Sequence, residues 1–386
     1  MNAIDFDGMN TRCFEYGNLR IAVRSHDEAS LVWLEEFSCP AFRPIDCDHP
    51  DWTVTLERDS PLYGALIQRL PLTNPDSVDF FTLDGSFQQH ELLESDGHCL
   101  IAYDRDNSVF YIIDKINCVV RILAEAVGRF CRMPLARVLR ELGTIHCLSA
   151  GHLHCHAAAF VLGDQAIALA GVKRSGKTST LVHSLLQPST RFITNDRLFV
   201  QYDHDRLLIR GMPTILKVRS KSLDLLPEFG MRFRSYPYRY RFTLEESECD
   251  VSEWRKTMFG KSDLVARMST AQFCELMDIS AIGQATLAAF VFPRVTPDVE
   301  CVHIERLPPE VAATRLFNES LIAASSPQKT AEAFRREGEP SVLSDEAVKR
   351  QCERVAHLVP CYDCDIGPAS YQLPYLFDGL LRKAAA

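Results

Sequence analysis

Gly171, Val172, Lys173, Arg174, Ser175, Gly176, Lys177 and Thr178 satisfy the phosphate-binding pattern G-x-x-x-x-G-K-[ST] at every fixed position. In such a loop the backbone N–H groups converge on phosphate oxygens at a helix N-terminus. Lys177 reaches the terminal phosphates, Thr178 offers its hydroxyl to Mg²⁺, and Ser179 continues the first helical turn. The flanks carry the required elements. Ala166 to Gly171 is a short apolar run that predicts a buried strand, and Ser179 to Leu186 places Leu181, Val182, Leu185 and Leu186 on one helical stripe before Pro188. The chemistry expected of these residues is nucleoside triphosphate binding.

The remainder of the chain must position that loop. Its 386 residues suffice for two or three domains. With 46% hydrophobic and 24% charged residues the composition is ordinary for a globular protein, and a net charge of −9 excludes general nucleic-acid affinity. No apolar run is long enough to span a membrane, and the N-terminus lacks a basic-then-apolar leader, so a cytoplasmic location is expected. Fourteen cysteines are scattered singly, which suits reduced buried thiols. Cys361-Tyr-Asp-Cys364 alone has redox or zinc spacing, and without two further ligands it is read as incidental.

Short alternating segments (Leu19 to Val23, Trp52 to Leu56, Cys99 to Tyr103, Ser108 to Ile113) predict a β-rich N-terminal domain over residues 1–133. That domain is expected to end in helices, with Val119, Ile122, Leu123, Ala126 and Val127 on one face. A second helix starts at Pro134 and carries Leu135, Val138, Leu139 and Leu142. A nucleotide-binding domain over 134–300 follows, with a lobe or lid near 220–280. Residues 301–386 read as polar helices followed by a short strand and a helix near Tyr375 to Lys383.

Two further features narrow the class. His156 lies upstream of the loop inside His154-Cys-His-Ala-Ala-Ala-Phe, and Asn195-Asp196-Arg197-Leu198 follows the strand after the loop's helix. This layout resembles the HPr kinase/phosphorylase family and its relatives in peptide-modification pathways. The resemblance spans roughly residues 135–300. It implies an α/β fold with an HPr kinase-like, PEP carboxykinase-like core beside the β-rich domain, ATP and Mg²⁺ as ligands, and γ-phosphoryl transfer to a hydroxyl. The acceptor it suggests is a serine of a peptide or small protein, with a small-molecule alcohol as second choice. Because HPr kinases form rings, it also implies a homo-oligomer. The chain departs from the family at Asn195, where an acid is usual, so only Asp196 inherits the role of base and metal partner. The family's signature Glu-x-Arg-Gly survives only as an echo in Leu208-Ile-Arg-Gly211. These losses leave open a nucleotide-dependent regulator that transfers nothing, or a simple ATPase.

Each candidate has a plainer reading. Asp196 could be a cap or turn residue, His156 a satisfied core histidine, and Arg294, after the apolar run Ala285 to Phe292, a surface arginine. Lys173 and Arg174 add two charges that could meet γ-phosphate or an acidic substrate. His152, His154 and His156 alternate and would share one strand face, where they could bind a transition metal, but no acidic or Cys partner completes the set. Met231 to Phe242 interleaves arginines with aromatics. It is expected to be a solvated hairpin, with nucleic-acid stacking or a lid for an acidic peptide as alternatives. Lys217, Arg219 and Lys221 extend that positive surface.

Overall fold

Short strands dominate the N-terminal part of the computed structural model. It describes residues 8–71, 76–81, 87–128, 131–219, 225–236, 265–296, 299, 302–322, 333–336, 338–340 and 343–372. The chain divides into two units, Met1–Ala150 with Ser325–Val342, and Gly151–Ala324 with Leu343–Ala386. Both are mixed α/β.

The first unit contains β1 (Asn10–Tyr16), β2 (Leu19–Ser25), α1 (Glu28–Ser38), β3 (Arg43–Ile45), β4 (Trp52–Arg58) and α2 (Ser60–Ile67). After these come β5 (Ser77–Phe81), β6 (Phe87–Ser95), β7 (Cys99–Asp104), β8 (Val109–Asp114), β9 (Val119–Ala124) and α3 (Arg132–Ser149). Its nine-stranded sheet has the order β3-β1-β2-β4-β9-β8-β7-β6-β5, parallel at β2–β4 and β4–β9 and antiparallel elsewhere. Tyr63 and Leu66 of α2 pack on Ile101, Tyr103, Phe110, Ile112 and Leu123.

Two expectations are corrected here. Val119 to Val127 is not a helix: Val119–Ala124 is β9, hydrogen-bonded to β4 on one side and β8 on the other. A strand paired on both sides reads as a mostly apolar run, here broken only by Arg121, and over so few residues helical spacing imitates it. The second helix begins at Arg132 and continues to Ser149, well past Leu142, and its residues from Pro134 to Ile145 are all buried. α3 packs on α1 and the first sheet and groups with the first unit, whose N-terminal stretch runs to Ala150.

The second unit contains β10 (Leu153–His156), β11 (Ala158–Leu162), β12 (Gln165–Leu169), α4 (Lys177–Leu185), β13 (Thr190–Thr194), β14 (Arg197–Asp203) and β15 (Arg206–Gly211). It continues through β16 (Leu216–Arg219), α5 (Pro227–Ser235), β17 (Val265–Met268), α6 (Thr270–Met277), β18 (Ser280–Ala281) and β19 (Gln284–Val295). The last elements are β20 (His303–Arg306), α7 (Pro309–Arg315), a π turn (Leu316–Ser320), α8 (Asp345–Leu358), β21 (Cys361–Ile366) and a 3₁₀ turn (Pro368–Gln372). The main path of its ten-stranded sheet is β10-β14-β15-β19-β12-β11-β13-β18. β21 joins alongside β19, and β20 joins alongside β21. The segment after residue 300 therefore adds strands to this sheet. β16 and β17 form a separate pair.

Alternation along β11 and β12 covers both faces of this sheet. Ala158, Phe160, Ile167 and Leu169 pack with Leu181, Val182 and Leu185 of α4 and with α5 and α6. Ala159, Val161, Ala166 and Ala168 pack instead with Ala312 of α7 and with Val348, Cys352 and Val355 of α8. Full burial of Phe160 alone contributes about 1.5–3 kcal/mol. Ala158, Ala159, Ala166 and Ala168 let both helix layers approach the sheet.

The expected hairpin at Met231 is also corrected. Pro227 opens α5, Phe229 and Phe233 are buried one turn apart, and Arg232 pairs with Glu228 at 3.0 Å, so the arginines and aromatics sort by helical rather than strand period. Residues 237–242 of that stretch, the acidic run at 245–250, Lys221 and the helix expected near Tyr375 to Lys383 lie outside the described residues.

Candidate functional site

The loop 171–176 joins the end of β12 to α4, and its corners carry the two required glycines. Gly171 has φ +128° and Gly176 φ +104°, both in the region that glycine tolerates best. A Cβ on Gly176 would stand 2.5 Å from Val295 Cγ2, so the close approach of β19 also demands glycine there. Val295 N donates to Ser175 O at 3.2 Å and pins the loop from outside. Gly176 is the N-cap of α4 and supplies no side-chain cap, so the first-turn N–H groups lack intrahelical acceptors. Ser175 Oγ is buried and has no hydrogen-bond partner among the described residues. Open N–H groups, a buried hydroxyl and the positive end of a helix dipole suit an anion.

Lys177 is only 8% exposed, and its Nζ donates to the carbonyls of Gly171 at 2.7 Å and Val172 at 2.9 Å. Burial lowers its pKa, while Asp196 and Glu319 oppose that shift. Val172, Lys173 and Arg174 are exposed on the outer bend, and Thr178 and Ser179 are half-buried on α4. Tyr371 of the 3₁₀ turn braces the same helix, its hydroxyl 3.0 Å from Thr180 Oγ1.

His156 ends β10, and Asp196 stands between β13 and β14. Antiparallel pairing of β10 with β14 sets His156 opposite Arg197, and Ala157 N donates to Asp196 O at 3.1 Å. His156 Nε2 lies 3.2 Å from Asp196 Oδ1, while Arg197 Nε lies 3.3 Å from Oδ2. Burial pushes the His156 imidazole below its usual pKa; Asp196 opposes this, and Lys177, Arg197 and Lys173 reinforce it. Asp196 thus faces several basic groups and is a partly exposed carboxylate oriented on both oxygens. Asn195 is engaged elsewhere, since its Oδ1 accepts from Thr214 Oγ1 at 2.7 Å.

Arg294 immediately precedes Val295, which brings it to the edge of the loop. Its side chain is 60% exposed and bonds Asp365 at 2.6 Å, with Asp363 at 3.9 Å. The alternating histidines diverge in their contacts. His154 stacks on Phe199 with ring centroids 4.4 Å apart, whereas His156 meets Asp196. Among the described residues no three His, Cys, Asp or Glu side chains converge to hold a metal. Thr178, Asp196 and Glu319 are hard oxygen donors, the set suited to Mg²⁺ held mainly by phosphates instead of by a protein cage.

Cys361 and Cys364 fall on opposite faces of β21, one in each core layer, and burial raises both thiols to about 12. The twelve described cysteines are free thiols.

Sequence reasoning missed Glu319, Arg315 and Asp363. Arg315 grips Glu319 at 2.8 Å, bonds Asp363 and stacks over Phe292 at 4.4 Å. The i,i+4 spacing of Arg315 and Glu319 was a visible signal of pairing, but nothing near them in sequence pointed to residue 171. Among the described residues no helix is long and apolar enough to cross a membrane. No family model matches the chain, and no curated protein matches it.

Proposed function

We propose that the chain is an ATP-dependent kinase of the HPr kinase-like type that transfers the γ-phosphoryl group to a hydroxyl. The observation that carries this reading is the placement of Lys177 and its glycine-cornered loop beside an Asp196 carboxylate already oriented by His156 and Arg197. Phosphoryl transfer requires mostly positioning and charge neutralisation, and these residues are of the types that supply both.

In this reading the loop amides, Ser175 and Lys177 bind the triphosphate. Thr178 and Asp196 would hold Mg²⁺, which when bound neutralises charge on the transferring group. Asp196 accepts the proton of the acceptor hydroxyl as its oxygen bonds the γ-phosphorus and the bond to ADP breaks. His156 keeps the carboxylate in place, and Lys173 and Arg174 lie where an anionic partner would meet the outer bend. A serine of a peptide or small protein is the favoured acceptor, by resemblance, with a small-molecule alcohol second. Arg294, tied to Asp365, serves the loop's edge and not the transferring phosphoryl.

Asn195 favours one alternative, a nucleotide-dependent regulator, because its amide stands where a second carboxylate would be expected and is already bonded to Thr214. Incubation with γ-labelled ATP and candidate acceptors separates the readings. Labelled acceptor supports the kinase; free phosphate alone supports an ATPase; binding without turnover supports the regulator. No nucleotide binding at all refutes all three.

A further inference from the structure

Lys177 is buried, which lowers its pKa, and two carboxylates, Asp196 and Glu319, oppose that shift without cancelling it. Glu319 arrives from the π turn Leu316–Ser320, a type of segment that recurs at functional positions. Its Oε2 lies 3.9 Å from the place a Cβ on Gly171 would occupy, beside the residue whose carbonyl accepts from Lys177 Nζ at 2.7 Å. Arg315 fixes both oxygens, Nε on Oε1 at 2.8 Å and its terminal nitrogen on Oε2 at 3.1 Å. Arg315 is itself held by Asp363 and by the ring of Phe292. Glu319 is therefore a carboxylate locked in position at the loop.

A fixed negative charge at a phosphate cradle opposes a bare polyphosphate and tolerates one whose charge a divalent cation has reduced. Granted the nucleotide site proposed above, we infer that Glu319 makes the loop selective for metal-loaded over metal-free nucleoside triphosphate. It acts as the site's second acidic position in place of residue 195, beside Gly171, and not as the base for the acceptor.

Titration calorimetry of the full chain with ATP, once with Mg²⁺ and once in EDTA, tests this, with thermal melting as the folding control. The parent should bind at least about tenfold more weakly in EDTA, and Glu319→Gln should gain about tenfold in metal-free affinity, so that the ratio collapses towards one. Glu319→Asp keeps the charge and should retain most of the ratio. A folded Glu319→Gln chain with the parent's ratio overturns the inference, as does a parent ratio near one. Should Glu319→Gln fail to fold, Arg315→Lys, which loses the two-pronged grip, must lower the ratio severalfold; an unchanged ratio overturns the inference. Absence of ATP binding by the parent under every condition removes the nucleotide site itself. Parent binding with unaltered variant ratios removes only the role of Glu319.

Discussion

In the first unit Arg137 of α3 reaches into a largely buried polar network, donating to Asp104 at 2.7 Å, Tyr111 at 3.0 Å and the half-buried Gln88 at 2.7 Å, with His90 at 3.0 Å. In the second unit Lys177 is buried almost as deeply but bonds only backbone carbonyls, and the carboxylates that balance it, Asp196 and Glu319, are partly open to solvent. The first network pairs Arg137 with Asp104 inside the unit, although Arg137 Nε and His90 Nδ1 find no hydrogen-bond partner among the described residues, and we read its contribution as one to the fold. The second keeps a cation, a buried hydroxyl and uncapped amides where another molecule could complete them. Burial of charge alone does not mark a site; unsatisfied groups occur in both clusters, and those of the second lie beside carboxylates open to solvent.

Substitutions can break this contrast. Lys177→Met keeps the aliphatic stem and should cut phosphoryl transfer by at least about 10³-fold with melting essentially unchanged; equal transfer rates would remove the proposed cradle. Asp196→Asn should lower turnover by about 10²- to 10⁴-fold while ATP still binds, as steady-state rates and calorimetry would show together. Arg137→Met strands Asp104 without its cation and should cost about 3–5 kcal/mol in urea unfolding. Those molecules still folded should bind ATP normally, and a selective loss of binding would end the division of labour.

Acid should weaken the first unit. Burial, with Arg137 adding to it and Asp104 opposing, pushes His90 down to about 4 in the folded chain from its ordinary 6.5. The unfolded chain therefore binds a proton that the folded chain refuses, and stability falls as pH drops from 6.5 towards 4, by about 3 kcal/mol in all. Asp104 adds to the loss at lower pH still, because Arg137, His90 and Asn107 outweigh burial and hold it below the usual carboxylate range. Melting curves across this window should show the slope, and His90→Gln should flatten it. The smallest effect is expected at Arg294, an exposed ion pair whose replacement by glutamine should change stability by less than about 1 kcal/mol and leave transfer nearly intact; a large loss of transfer would move it into the site.

The loop and its flanks were legible because their signals are local. An apolar run, two glycine corners and a leucine stripe lie within two dozen residues and agree with one another. Val119–Ala124 was not, because a strand enclosed by β4 and β8 shows a single polar residue, Arg121, too little to betray its period. Nor was the helix at Pro227, where arginines and aromatics fit an alternating pattern and a helical one equally well until Phe229 and Phe233 are seen to share a buried face. His156 and Asp196 could be named from sequence as candidates, but their mutual orientation follows from the β10–β14 register. Glu319 and Asp363 enter only through long-range packing, which no spacing encodes.

β19 has a consequence for how this molecule is made. Its last residues, which pin the loop through Val295, run beside β21, and Tyr371 anchors α4 from further on still. A nascent chain emerging from the ribosome would have presented Gly171 to Thr178 long before those partners exist. The loop should therefore reach its final shape only after Cys361–Ile366 and Tyr371 have emerged, and a chain cut before Cys361 should carry the motif intact yet lack the β21 and Tyr371 contacts that brace it.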